Sequence, residues 1–277
     1  MERREAEELL RNAVGNATAE FRKGQWEAID AMVNRRQKLL LVERTGWGKS
    51  SVYFISTRIL RDRGRGLTLI VSPLLALMRN QIEAAQRLGI RAETINSTNT
   101  NNWPVITQQI LDDKVDALLI SPERLADESF VEEVLIPVAD RIGLLVVDEA
   151  HCISDWGHDF RPDYQRLINI LRLLPKNTPL LATTATANDR VIEDVKLQLK
   201  DIEIQRGPLV RDSLALQILP LHDQASRLAW LAQAIPELPG TGVVYVLTKH
   251  DAKQVATWLG KQGIDAHAYY AGVEHAD

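Results

Sequence analysis

The sequence predicts an α/β fold, a mainly parallel sheet wrapped by helices on both faces. Three observations carry this expectation. Short β-rich apolar runs recur along the chain, and each is near-continuous rather than alternating, as strands buried on both faces of a parallel sheet are. Helix-like segments lie between them. Glycines fall where helix ends and turns are wanted.

The strand candidates, in order, are Lys38–Val42, Leu67–Val71, Asp116–Ile120, Ile142–Val147 and Pro179–Ala182. The helix candidates between them are Ser51–Asp62, Ala76–Leu88, Val105–Asp112 and Asp189–Leu199, with Gly64, Gly89 and Gly143 as punctuation. This alternation predicts a doubly wound domain to about residue 206, with ligands at the carboxyl ends of its strands. A linker-like stretch, Gly207–Gln224, follows. After it come a helix at Ala225–Ile235, a turn, a strand at Val243–Leu247, a helix at Asp251–Gln262 and a strand at Ile264–Tyr270. The expected organisation is thus a domain over 1–206, a linker and connecting helix over 207–238, and a further unit over 239–277. A length of 277 residues suits about two domains.

Hydrophobic residues at 45% and charged residues at 25% exclude a disordered tail, a collagen-like chain and a coiled-coil rod. No apolar run approaches the roughly 18 residues that span a bilayer. The charged start, MERREAEELLRNAV, does not read as a secretory leader. One cysteine, Cys152, excludes an intrachain disulfide and a multi-cysteine zinc site, and a reducing cytoplasm is expected. The net charge of −4 does not advertise a nucleic-acid binder, but its distribution is uneven. Residues 1–65 carry a net +5 and residues 66–165 a net −9. That pattern fits local phosphate binding followed by metal-linked carboxylates, and equally fits ordinary scatter.

Four segments carry chemistry. Thr45, Gly46, Trp47, Gly48, Lys49 and Ser50 follow a strand and open a helix, the context that a phosphate-binding loop requires. Glycines let backbone N–H groups close around phosphate oxygens, and the helix N-terminus adds positive potential. Lys49 then reaches the β/γ-phosphates and Ser50 ligates Mg²⁺. Glu43 stands where the strict pattern has glycine. Asp148, Glu149, Ala150 and His151 end the run IGLLVV. Here Asp148 is the Mg²⁺ ligand and Glu149 orients or deprotonates an attacking water. Cys152–Tyr164 gathers Trp156, His158, Phe160, Arg161 and Tyr164. Rings beside a cation suit single-stranded nucleic acid, and suit equally an aromatic mini-core that anchors a loop. Thr184 and Thr186 follow the strand PLLA, where hydroxyls can bond carboxylates of a neighbouring strand or simply form a turn or cap a helix.

Together these residues resemble the RecQ family of superfamily 2 DNA helicases, in order through nearly the whole chain. Phe21–Gln25 is similar to the family's adenine-reading motif, with Arg22 and Gln25 as contacts. Val71–Met78 and Ser121–Leu125 are similar to its motifs Ia and Ib, which makes Ser72 and Arg124 candidate DNA-backbone contacts. DEAH followed by CISDWGHDFRPDY is the most specific likeness. That loop couples DNA binding to ATP hydrolysis in the family, through Trp156, Phe160 and Arg161, with His158 beside them. Thr184–Ala187 is similar to motif III, and Val243–Leu247 and Ala268–Gly272 to the opening strands of a second lobe. The resemblance implies a RecA-like P-loop domain followed by the start of a second RecA-like lobe. It implies ATP and Mg²⁺ as cofactors, and Lys49, Asp148, Glu149 and His151 as the catalytic set. It further implies 3′–5′ translocation on single-stranded or forked DNA, a role in DNA repair or recombination, a bacterial cytoplasmic or nucleoid location, and no membrane. The later motifs of the second lobe, with the arginine finger, have no counterpart here, so weak or absent unwinding is expected of the 277-residue chain. The alternatives are a nucleotide- and DNA-binding module that does not unwind, and an RNA helicase of the same superfamily. A small-molecule P-loop kinase would need neither motifs Ia and Ib nor the aromatic loop.

Overall fold

Strands that are apolar on both faces need hydrogen-bonding neighbours at their edges, and the five strands expected before residue 206 find them in one sheet. The computed structural model describes residues 2–73, 75–96, 99–154, 162–209 and 214–270. The strands are β1 (Lys38–Val42), β2 (Thr68–Val71), β3 (Ala92–Ile95), β4 (Ala117–Ile120), β5 (Leu144–Val147), β6 (Leu180–Thr184) and β7 (Glu203–Arg206). They form a seven-stranded sheet in the order β3-β4-β2-β5-β6-β1-β7. Every pairing is parallel. β3 and β7 were not expected: AETI and EIQR are short and half polar, and they lie at the two edges, where one side of a strand faces no neighbour.

Side chains alternate across the sheet and feed two cores. On one face, Leu39, Leu41, Ile70, Leu119, Val146 and Leu181 pack with the helices Arg3–Val14, Gln25–Val33 and Lys49–Asp62. On the other, Leu40, Val42, Leu69, Leu118, Leu145 and Ala182 pack with the helices Trp103–Leu111, Leu167–Leu173 and Asp189–Leu199 and with the irregular helical stretch 122–141. This is the doubly wound layout. Local signals fix helix starts: Asn188 accepts from Val191 N at 2.9 Å, and Glu2 and Glu5 form a capping box.

The chain divides into two units, Met1–Asp212 and Ser213–Asp277. The second unit contains the helices Gln224–Ala234 and Lys249–Lys261, capped by Asp223 and Thr248. Trp258 Nε1 donates to Leu228 O at 3.1 Å and joins them. The strands expected at Val243–Leu247 and Ile264–Tyr270 are not formed among the described residues. A strand needs a neighbour to satisfy its backbone groups, and no strand pairs with these segments among the described residues. Tyr245 is accordingly 93% and Leu247 100% exposed.

At the amino end of β4, Asp116 ties three segments together. It accepts from Arg61 Nε at 2.8 Å, and from Arg91 Nη2 at 2.7 Å and Arg91 N at 2.8 Å. Burial pushes its carboxyl up, but the Arg91 hydrogen bonds and the charges of Arg91 and Arg61 outweigh that and hold it below the ordinary Asp value. A depressed folded pKa contributes stability above the unfolded value of about 3.9, and this is lost as pH falls through the folded value. Asp116→Asn should therefore cost about 2 kcal/mol in urea unfolding at pH 7. The gap to the parent protein should narrow as the pH is lowered past about 4. A variant as stable as the parent at neutral pH would show that the network carries no net stability.

Candidate functional site

The register places the chemistry. Val42 lies opposite Thr184, Val147 opposite Ala182, and Val71 opposite both Val147 and Ile120. The residues that follow form a stepped row along the carboxyl edge, with Ser72, Ser121 and Asp148 level with Thr183 and with Glu43 two residues further out. Backbone bonds extend the ladders into that row: Glu43 N to Thr184 O at 3.0 Å, Asp148 N to Val71 O at 2.8 Å, and Ser72 N to Ile120 O at 3.0 Å.

The phosphate loop leaves β1 and turns into the helix Lys49–Asp62 through two left-handed glycines, Gly46 (φ 78°) and Gly48 (φ 101°). A Cβ at Gly48 would stand 2.5 Å from Gln25 Nε2, so glycine is required there twice over. Lys49 Nζ folds back on the loop and donates to Glu43 O at 2.6 Å and Arg44 O at 3.4 Å. Thr45 is exposed at the tip, and Trp47 is buried in the core. The Ser50 side chain hydrogen-bonds Tyr53, whose hydroxyl burial pushes up, with the charges of Asp148 and Glu149 adding to the effect.

Gln25 is buried under this loop. Its Oε1 accepts from Arg22 N at 2.9 Å, and its Nε2 donates to Trp47 O at 2.9 Å. Arg22 Nη1 donates to Gly46 O. Gln205 of β7 donates to Gly24 O at 2.9 Å and holds the turn from the other side. The two residues expected to read adenine thus brace the phosphate loop.

Asp148 ends β5 and is buried. Its Oδ1 accepts from Thr183 Oγ1 at 2.6 Å and from Glu149 N at 3.1 Å. Its Oδ2 faces Ser72 Oγ at 3.5 Å and Gln81 Nε2 at 3.4 Å, and Tyr164 OH donates to its main-chain oxygen at 2.9 Å. Burial pushes the carboxyl above the ordinary Asp value and the Thr183 bond opposes it. Glu149 sits in the left-handed region at φ 51°, which costs a non-glycine residue about 1–2 kcal/mol and recurs at functional sites. His151 Nδ1 lies 3.0 Å from Thr184 Oγ1 and 3.2 Å from Glu149 Oε2, and so joins the acidic turn to β6. Thr186 N donates to Thr184 Oγ1 at 3.1 Å.

The structure thus gathers Lys49, Ser50, Asp148, Glu149, His151 and Thr184 on one edge. Two of the residues expected to contact DNA have partners inside the fold. Ser72 is fully buried beside Asp148. Arg124 is only 13% exposed, stacks 3.6 Å over the Trp103 ring and pairs with Asp127 at 2.5 Å. Trp156, His158, Phe160 and Arg161 lie outside the described residues. The segment that enters their loop is anchored by Ser154 Oγ, which donates to Asp194 at 2.5 Å, and by Gln198, which donates to Ile153 O at 3.3 Å. Thr183, Gln81 and Gln205 were not singled out, and Tyr164 was noted only as part of the aromatic segment. Thr183 carried a signal, as a hydroxyl next to Thr184 near a strand end. Ser50 and Asp148 carry oxygen donors of the hard kind that Mg²⁺ takes.

The family model of the DEAD/DEAH box helicases matches residues 22–195. The chain is 35% identical over 263 residues to the ATP-dependent DNA helicase RecQ of Haemophilus influenzae, covering 92% of this chain and 40% of that protein. It is 34% identical to the probable ATP-dependent DNA helicase RecS of Bacillus subtilis, over 93% of this chain and 51% of that one. The chain therefore spans about half or less of the length of these relatives. Among solved structures, Dbp5 of S. cerevisiae bound to RNA and ADP BeF3 shares the fold at TM-score 0.63 and 18% identity, covering 93% of this chain and 65% of its own. The Mycobacterium smegmatis helicase Lhr bound to ssDNA and AMP-PNP does so at TM-score 0.67 and 18% identity, covering 96% and 38%.

Thr183 supplies the shortest bond to the buried Asp148, so Thr183→Val should lower stability by about 1–2 kcal/mol in urea unfolding. Thr183→Ser should restore most of the loss. Equal stability of the valine variant and the parent would show that the bond contributes nothing.

Proposed function

The chain belongs to the DEAD/DEAH box helicase family, and on that premise we propose that it works as the ATP-binding part of a RecQ-type DNA helicase that moves 3′ to 5′ on single-stranded DNA. The observation that carries this reading is the pairing, on one sheet edge, of the Gly46–Ser50 loop with Asp148 and Glu149. The loop's N–H groups and the helix N-terminus cradle the phosphates, while Lys49 exchanges its carbonyl partners Glu43 and Arg44 for phosphate oxygens. Ser50 and Asp148 hold Mg²⁺, which neutralises charge on the phosphates when bound. Glu149 orients the attacking water and takes its proton. His151, held between Glu149 and Thr184, carries the state of the acidic turn to β6 and the segment after it. Arg22 and Gln25 add a second role to the family's adenine contact: they report on the shape of the phosphate loop.

DNA enters the proposal through the resemblance to RecQ helicases and the aromatic-rich stretch after DEAH. Because Arg124 and Ser72 are engaged inside the fold, the aromatic loop is assigned the larger part of the strand contact.

ATP hydrolysis should rise on addition of single-stranded DNA. Glu149→Gln should lower the rate by about 10²–10⁴-fold with ATP affinity little changed, whereas Lys49→Ala should weaken ATP binding itself. A rate indifferent to single-stranded DNA would overturn the DNA reading, and stronger stimulation by single-stranded RNA would replace it with the RNA one. Full activity of Glu149→Gln would remove the assigned base.

A further inference from the structure

The amino edge of the sheet, opposite the phosphate loop, carries a cavity of about 330 Å³ lined by Arg36, Arg65 and Arg141 together with Asp113 and Asp140. A five-residue strand separates the two edges by about 16 Å, so the cavity is not part of the nucleotide site. Its volume lies at the small end of the roughly 300–1,000 Å³ typical of ligand pockets.

The close approach of two main-chain segments brings the arginines together. A Cβ at Gly66 would stand 1.9 Å from Arg141 O, and one at Gly143 would stand 2.9 Å from Gly66 O and 3.1 Å from Arg65 Cβ. Only glycines allow this contact, and it fixes Arg65 and Arg141 on one wall. Arg36 faces them from the turn before β1, in the left-handed region at φ 52°, with Nε donating to Asn177 O at 3.0 Å.

Most charges at this edge already have partners. Asp113 pairs with Arg61 at 2.8 Å, and Arg141 donates to Leu111 O at 3.0 Å. Asp140 is exposed and forms no ion pair among the described residues. The Arg65 guanidinium has neither a hydrogen bond nor an ion pair among the described residues. It lies close enough to Arg36 that, after burial, its charge is what pushes the Arg36 guanidinium down. Two like charges sharing one concave site, one of them unpaired, are relieved by an anion. Two planar donor forks match the oxygens of a phosphate.

We propose that this cavity is a second phosphate site, in which Arg36 and Arg65 bind a phosphate oxyanion that is either free or carried in a nucleic-acid backbone. The site is independent of the nucleotide reading. Arg65→Ala removes an exposed, unbonded side chain and leaves the fold intact.

The test is made in a Lys49→Ala background, which silences the phosphate loop. Inorganic phosphate and an unphosphorylated single-stranded DNA are titrated separately, by calorimetry and by fluorescence anisotropy. Phosphate should bind, and Arg65→Ala should weaken it by about tenfold, the loss of one charge-assisted contact. Arg65→Lys should recover part of the affinity. If the ligand is a backbone phosphate, Arg65→Ala should also lower the slope of log K against log salt for DNA by about 0.7. If only inorganic phosphate responds, the ligand is free phosphate. Equal affinities of the Arg65→Ala protein and its parent for both probes, or no phosphate binding in the Lys49→Ala background, would overturn the proposal.

Discussion

The carboxyl edge holds its groups in place because the parallel strands are locked in one register. Val71, Ile120 and Val147 stand level with Ala182 and Leu40, so Ser72, Ser121 and Asp148 emerge level with Thr183, while β1 and β6 run on to Val42 and Thr184 before Glu43 leaves the sheet. A slip of one residue in β5 would turn every side chain of that strand to the opposite core and move Asp148 away from Thr183. The alternation of Leu144 and Val146 into one core and Leu145 and Val147 into the other makes such a slip costly. The chemistry is thus positioned by apolar residues that take no part in it.

From that register follows an electrostatic problem. The proposed cation role of Asp148 needs an ionised carboxyl, yet the strand that delivers it also buries it, which favours the protonated form. Hydroxyl and amide donors from Thr183, Glu149 and Gln81 partly offset this cost, and a bound divalent cation would complete it. The same donors explain why the threonine pair is split between two tasks. Strand alternation points Thr183 at Asp148 and leaves Thr184 to meet His151. A single strand end therefore touches both the buried carboxylate of Asp148 and the residue that contacts Glu149.

This division was only half legible in the sequence. KLLLV, TGWGKS and DEAH could be read because each is contiguous and its chemistry is local. Thr183, Tyr164 and Gln205 reach the site through register or through side-chain length, and no spacing along the chain encodes that. β3 and β7 stayed hidden because edge strands tolerate polar residues. The opposite failure occurred at Val243–Leu247. Its β-branched and aromatic residues favour a strand, yet propensity acts only where a neighbouring strand is present. Likewise, no motif encodes that Ser72 is buried beside Asp148 or that Arg124 stacks on the Trp103 ring, because both partners are distant in sequence.

The two edges of the sheet also differ in polarity, which bears on the arginines of the amino edge. Helices that connect parallel strands run back against them, so their N-termini collect at the carboxyl edge and their C-termini at the amino edge. The first arrangement suits phosphates and the second suits cations. Three basic side chains follow this rule: Arg63 donates to Val33 O, Arg141 to Leu111 O and Lys38 to Leu199 O, each at the last residue of a helix. Helix polarity therefore accounts for much of the positive charge at this edge with no ligand at all. It does not account for Arg65, which caps no helix, or for Arg36, whose bond goes to the turn before β6. With the carbonyl ends already satisfied by other residues, the Arg65 guanidinium is surplus to the fold, and the Arg36 guanidinium has one bond, to Asn177 O. Asp140 in the same cavity offsets part of their mutual repulsion, and an anion bound between them would offset the rest, which is the physical ground for assigning the pair to a ligand.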